Sequence, residues 1–169
     1  PQCGTALTPL GEFAKVARAG AREGCAVQAN RAPEVDVSPT QSETSPDLSV
    51  VIPCYNEEAI IWGAVEELHA GLVAMGRSFE IIVSENGSKD DTRAIAEKLS
   101  RAYPEVRALQ SDDPNYGKAL RRGIKAARGK FVLCEEIDLC DLDFHRRALV
   151  ILDADGADFV VGSKAHPDA

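Results

Sequence analysis

A chain of 169 residues with a formal net charge of −8 can bury one substantial core but is short for an enzyme built from two halves. The acidic balance excludes a broad nucleic-acid surface, which is made of clustered Lys and Arg, so no nucleic-acid partner is expected and an anionic ligand would have to be met locally. Five cysteines without a Cys-x-x-Cys pair or zinc spacing make neither a disulfide framework nor a zinc site, and fit a reducing, cytoplasmic setting.

The chain opens on Pro1 and not Met, and a fragment or a processed product is expected. Residues 1–46 mix Ala, Gly, Pro, Ser and charges without steady periodicity and read as a disordered leader, with a short helix over Leu10–Arg22 as the one element it offers. No apolar stretch reaches the roughly 18 residues of a membrane span, and no signal-peptide apolar region opens the chain. The protein is expected to be cytoplasmic, at most peripheral at the cytoplasmic face of a membrane.

From residue 47 to 169 the pattern is regular and reads as one domain. Leu48 to Pro53 is a near-continuous apolar run, suited to a strand buried on both faces of a parallel sheet. Asn56 is placed to cap a helix with Glu57 and Glu58 in its first turn and Ile60, Ile61, Ala64, Val65, Leu68 and Leu72 at helical spacing. Pro53-Cys54-Tyr55-Asn56-Glu57-Glu58 is then either a ligand loop, with Tyr55 and Glu57 toward a planar base and its ribose, or simply a capped helix start.

Phe79–Val83 is a second strand. Ser84-Glu85-Asn86-Gly87-Ser88 follows, where Gly87 allows a tight turn that would face Glu85 and Asn86 toward a ligand; an ordinary strand-to-helix turn reads equally well. Ser88 and Asp91 resemble a capping box for the next helix. After a weaker strand at Val106–Leu109, Gly117–Arg128 reads as a third helix closed by Gly129, with Lys118 and free backbone N–H groups at its start where an anion could rest. Neither a Walker loop nor a dinucleotide Gly-x-Gly-x-x-Gly is present.

Lys130–Cys134 is a strand that breaks into Glu135-Glu136-Ile137-Asp138, with Asp141 just behind. Side chains alternate along an extended segment, so Glu136 and Asp138 project to one side and can share a divalent cation; a charged loop before a helix is the plain alternative. Held together, the like charges repel, and a cation relieves that repulsion. Asp143–Leu152 is a fourth helix and Asp158–Gly162 a last strand, followed by Lys164 and His166. The alternation of strands and helices implies an α/β fold with a mostly parallel sheet, helices on both faces, and a ligand beyond the carboxyl ends of the strands.

Ile-Pro-Cys-Tyr-Asn-Glu-Glu, Glu-Asn-Gly-Ser-Lys-Asp-Asp-Thr, Asn-Tyr-Gly-Lys-Ala-Leu-Arg-Arg-Gly-Ile, Glu-Ile-Asp and Val-Gly-Ser-Lys, in that order, resemble family 2 glycosyltransferases, nearest the dolichol- and polyprenol-phosphate sugar synthases. The resemblance implies a GT-A fold, incomplete at its C-terminus, that binds a nucleotide-diphosphate sugar with Mg²⁺ or Mn²⁺. It places Pro53, Tyr55 and Glu57 in the nucleoside loop and Glu85 and Asn86 at the positions of a base-touching Asp pair. Lys118 and Lys164 fall near the diphosphate, and Glu136 and Asp138 in the metal motif. Glu136 is one methylene longer than the usual Asp, and a shift of about an ångström in such a position can cost on the order of 100-fold in rate. Cys140 stands where a relative offers the metal a polar group, and a thiol is too soft for Mg²⁺.

Two activities are compatible with this. The first is inverting transfer of a hexose by single displacement, with a lipid phosphate as acceptor; such a phosphate, with a second pKa of roughly 6, needs no strong general base. The second is a non-catalytic nucleotide-sugar-binding remnant lacking the acceptor half. A sugar nucleotidyltransferase would carry a Gly-rich activating loop where this chain has Cys54-Tyr55-Asn56.

Overall fold

The computed structural model describes residues 15–18 and 45–162. In chain order these form β1 (Lys15–Arg18), β2 (Leu48–Cys54), α1 (Ile61–Ala74), β3 (Phe79–Glu85), α2 (Thr92–Ala102), β4 (Val106–Leu109), α3 (Tyr116–Ala126), β5 (Phe131–Cys134), α4 (Leu142–Asp153) and β6 (Phe159–Val161). They build one six-stranded sheet in the order β4-β3-β2-β5-β1-β6. β2 lies parallel to both β3 and β5, and β3 parallel to β4, as the alternation of strands and helices predicts.

β1 is the departure. The helix expected over Leu10–Arg22 is a strand at Lys15–Arg18, antiparallel to β5 on one side and β6 on the other. The leader is therefore not wholly outside the fold. An open strand edge presents a row of unpaired N–H and C=O groups, and this segment pairs the edge that β5 would otherwise expose.

The sheet divides the core in two. Leu48, Val50, Ile52 and Cys54 of β2 pack with Ile61, Val65, Leu68, Leu72, Ala96, Leu99, Phe144, Ala148 and Leu152, which come from α1, α2 and α4. Val51, Ile82, Val132 and Cys134 turn to the opposite face and meet Leu120 and Ala126 of α3. Both faces of the central strands are thus dry, which is why β2 is apolar at every position but Ser49, without alternation.

Pro53 sits inside β2, opposite Ser84 of β3, where a missing N–H would ordinarily break a ladder. The Val51 carbonyl accepts from the Glu135 N–H at 3.0 Å on the β5 side, and Pro53, two residues on, faces that same side. The β2–β5 pairing stops at Val51 and Cys134, so no donor is needed there.

Gly129 does not close α3, which ends at Ala126 with Ala127 already extended. Its lack of a side chain serves close approach: a Cβ there would lie 2.5 Å from the Ser49 nitrogen. The Gly129 N–H donates to Ser49 Oγ at 2.8 Å, and Ser49 Oγ donates in turn to Glu80 Oε1 at 2.7 Å.

Candidate functional site

The β2–α1 and β3–α2 loops are laced into one platform at the carboxyl edge of the sheet. Asn56 has a left-handed φ of 56°, which asparagine tolerates better than most side chains. That turn aims three successive N–H groups away from α1: Asn56 to Ser88 Oγ at 3.1 Å, Glu57 to Thr92 Oγ1 at 2.7 Å and Glu58 to Asp90 Oδ2 at 3.2 Å. Return bonds run from the Lys89 N–H to Asn56 Oδ1 at 2.8 Å, from the Asp91 N–H to Glu58 Oε2 at 2.9 Å and from the Asn86 N–H to the Cys54 carbonyl at 3.1 Å.

Two helix starts predicted from local pattern are corrected by this lacing. Asn56 caps the neighbouring loop and not α1, which begins at Ile61 and has no acid in its first turn. Ser88 and Asp91 form no capping box; α2 begins at Thr92 with Asp91 as its N-cap and no cap bond from that side chain, and the Thr92 N–H donates to Asp90 Oδ1 at 3.0 Å.

Beside the platform lies a pocket of about 490 Å³ lined by Pro53, Cys54, Tyr55, Glu57, Asn86, Pro114, Tyr116, Glu136, Ile137 and Asp138, a size suited to a small organic ligand. Of the residues singled out in the sequence, Pro53, Tyr55, Glu57, Asn86, Glu136 and Asp138 meet here. They come from three separate loops. Asn86 is 4% exposed, and its Oδ1 has no hydrogen-bond partner, a buried acceptor left for something else to satisfy.

Glu85 and Lys118 do not line the pocket. Glu85 is fully buried; its carboxylate accepts from the Ser88 N–H and from Arg93 Nε at 3.0 Å, so it braces the loop from behind. A buried carboxylate requires such a partner, and Arg93, the second residue of α2, reaches it. Lys118 pairs with Asp113 on the solvent side while its N–H is capped by Asn115 Oδ1 at 2.9 Å. Lys164 and His166 lie outside the described residues. Tyr116 was missed: its hydroxyl makes a long 3.5 Å contact with Glu136 Oε1. The clue was its place directly after the capping Asn115, at the first helical residue of α3 facing the sheet edge.

The rim is electrostatically loaded. Burial and then the charges of Asp138 and Asp90 raise the Glu57 carboxyl above its ordinary value. Burial, followed by the negative charge of Glu136, raises the Tyr116 phenol. Burial and the carboxylates of Glu135, Glu67 and Asp138 push the Cys140 thiol up to about 12, so it stays protonated at neutral pH.

These oxygen donors fit a hard divalent cation. Among the described residues no group of three His, Cys, Asp or Glu side chains is arranged to hold a metal alone. Mg²⁺ and Mn²⁺ sites that use one or two carboxylates are completed by water and substrate phosphates, and Glu136 and Asp138, both in the pocket lining, are carboxylates that could supply that share. On the far side of Asp138 a wider groove of about 1020 Å³ runs between α1 and the loop 137–142, with Ile60, Leu68 and Leu142 in its walls.

The fold and site together define the class: a GT-A sheet whose strand ends gather acidic loops around a pocket. The profile of Glycosyl transferase family 2 matches residues 49–168, and the chain belongs to that family of transferases. It is 37% identical over 128 residues to the glycosyltransferase AglD of Haloferax volcanii, covering 72% of this chain and 20% of that protein. It is 32% identical over 118 residues to the undecaprenyl-phosphate 4-deoxy-4-formamido-L-arabinose transferase of Pseudomonas aeruginosa, covering 69% of this chain and 34% of that one. To the dolichyl-phosphate beta-glucosyltransferase of Drosophila melanogaster it is 32% identical over 140 residues, 73% of this chain and 43% of the relative. The chain thus spans less than half the length of each of these proteins. Among solved structures, S. aureus TarS superposes with a TM-score of 0.53 at 27% identity, over 66% of this chain and 34% of that one. A mannosyltransferase from Pyrobaculum calidifontis, in complex with GDP-Man and Mn2+, shares the fold at a TM-score of 0.50 and 20% identity, over 63% of this chain and 32% of that one.

Proposed function

We propose that this domain holds a nucleotide-diphosphate sugar in the pocket of Tyr55, Asn86 and Tyr116, and that the protein transfers the sugar to a polyprenyl phosphate. The observation that carries the reading is the meeting of Glu57, Asn86, Glu136 and Asp138, from three loops, around one cavity. Tyr55 and Tyr116 are half exposed at its mouth and offer aromatic faces to a base. The free Oδ1 of Asn86 accepts a hydrogen bond from a base N–H, and Glu57 accepts from the ribose.

Carboxylates and a diphosphate repel one another, so Glu136 and Asp138 would hold Mg²⁺ or Mn²⁺ between them and the ligand. When bound, the ion supplies charge neutralisation for the departing diphosphate. The chain's own residues hold the donor: the laced loops fix the nucleoside, and Tyr116 orients Glu136. Lys164 is assigned to the diphosphate from its place in the sequence alone. Lys118 would join it only by leaving Asp113. No general base is required if the acceptor is an ionised phosphate. The lipid acceptor is supported by relatives named for undecaprenyl and dolichyl phosphates. Among the described residues no helix is long and apolar enough to cross a membrane; the lipid-phosphate acceptor proposed here would bring this domain to a membrane face as a peripheral part, on the cytoplasmic side.

Calorimetric titration with UDP- and GDP-sugars, with and without Mn²⁺, tests the reading: metal-dependent binding to one nucleotide class is expected, and its absence with both overturns it. Transfer to polyprenyl phosphate by the protein then separates an enzyme from a binding remnant.

A further inference from the structure

Directly beneath the loop that carries Glu136 and Asp138 lies a polar pair sealed from water. Glu135 is 2% exposed and His145 fully buried, with His145 Nε2 in hydrogen-bond contact with Glu135 Oε1. The other ring nitrogen, Nδ1, has no partner. Neither residue lines the pocket or the neighbouring groove, so neither can touch a ligand there.

The pair joins two fixed points. On one side Glu135 continues the β5 ladder through its N–H to the Val51 carbonyl at 3.0 Å. On the other, His145 lies in the first turns of α4, where its N–H donates to the Asp141 carbonyl at 3.1 Å and Asp141 Oδ1 caps the helix by accepting from Asp143 and Phe144 at 3.0 and 2.9 Å. Between these anchors the chain is already folded back on itself: the Leu139 N–H donates to the Glu136 carbonyl at 3.1 Å, and Cys140 Sγ contacts that same carbonyl at 3.8 Å. A side-chain tie across ten residues closes a short cycle, and a closed short loop has few conformations left to its middle residues.

Stability does not call for this pair. Replacing a buried polar pair with apolar side chains of similar volume is often neutral or stabilising, and Phe144, Ala148 and Leu149 already supply apolar neighbours on α4. What a directional tie adds over an apolar contact is a defined distance and angle.

We propose that Glu135 and His145 are positioning residues: their buried contact sets the spacing of Glu136 and Asp138 and so the affinity of the site for a divalent cation. This rests on the metal role assigned above to those two carboxylates. Partners behind metal ligands commonly carry about 10- to 100-fold in metal affinity when mutated.

The test is Mn²⁺ binding in the presence of UDP or GDP, followed by electron paramagnetic resonance, alongside thermal melting of each variant. His145→Leu alone strands a buried carboxylate and will unfold readily, so the informative protein is the double variant Glu135→Leu/His145→Leu, with His145→Gln as its control. The double variant is expected to melt near the wild-type temperature yet bind Mn²⁺ about 10- to 100-fold more weakly, while His145→Gln, still able to bond Glu135, stays within about threefold of wild type. Wild-type affinity in the folded double variant overturns the proposal, as does a double variant that cannot fold, which would make the pair a requirement of the fold. Absence of Mn²⁺ binding by the wild-type protein with either nucleotide is a separate result that removes the metal site itself.

Discussion

Asn56 and Ser88 are joined across 32 residues by a 3.1 Å hydrogen bond from the Asn56 N–H to Ser88 Oγ, and the Asn56 side chain answers by accepting from the next N–H, that of Lys89. One residue therefore locks two loops, and its left-handed backbone makes the lock possible. Asn56→Ala should lose about 1–2 kcal/mol from the forced positive φ and about 1 kcal/mol from the missing acceptor. Asn56→Gly should lose only the second contribution. Urea midpoints of the two variants separate backbone from side chain, and both should bind nucleotide more weakly than wild type.

Asp138→Asn removes charge from the pocket rim with little change of shape. Metal-dependent nucleotide binding should be abolished while the melting temperature holds or rises, because Asp138 and Glu57 repel. Calorimetry and circular dichroism read the two outcomes; unchanged affinity would place the ion elsewhere.

Asn86→Ala sets stability against binding. It deletes a buried acceptor that has no partner in the protein, and such groups are costly to leave unmade. The variant should be no less stable than wild type, yet its nucleotide affinity should fall about tenfold, the worth of one hydrogen bond of about 1.4 kcal/mol. A stability loss with intact affinity would make Asn86 a fold residue.

Glu80 predicts the acid limb of stability. Burial alone would raise its carboxyl, but hydrogen bonds from Ser49, Arg107 and the Arg128 N–H outweigh that and hold it below its ordinary 4.5. A carboxylate lowered by folding stabilises above its unfolded value, and the contribution drains away as pH falls through the folded one. Wild-type stability should therefore drop progressively below about pH 4.5, and Glu80→Gln should be less stable at neutral pH by about 1–2 kcal/mol with a shallower acid slope. Denaturant titrations at pH 7 and pH 4 provide the comparison.

Gly87, at a φ of 82°, lies where a Cβ would approach the Asp112 carbonyl at 3.0 Å. Gly87→Ala should cost about 1–2 kcal/mol in stability for the left-handed backbone, measured by thermal melting, and should loosen the turn that carries Asn86.

The central strands were legible because both of their faces are dry: Leu48–Cys54 and Phe79–Glu85 are buried almost residue for residue, and the apolar runs Val50–Cys54 and Ile81–Val83 say so directly. The helix read from Gly117 likewise placed α3 within a residue of its start at Tyr116. What local pattern could not show is where a polar group's partner lies. Glu57 and Glu58 look like first-turn acids, yet their N–H groups are taken by Thr92 and Asp90 from another loop. Glu85 and Asn86 are neighbours with similar chemistry, and the reach of Arg93 turns one inward while the other faces the pocket. β1 had no readable signal at all, since its partners Cys134 and Val161 come from the other end of the chain.

That last pairing carries a practical consequence. Among the described residues β6 meets the sheet only through β1, so trimming the N-terminal region past Arg18 would strand β6 and bare the flank of the strand leading into Glu135. A shortened version made for crystallisation would then be prone to self-association through that flank, and weak metal binding by it would reflect the trimming and not the pocket.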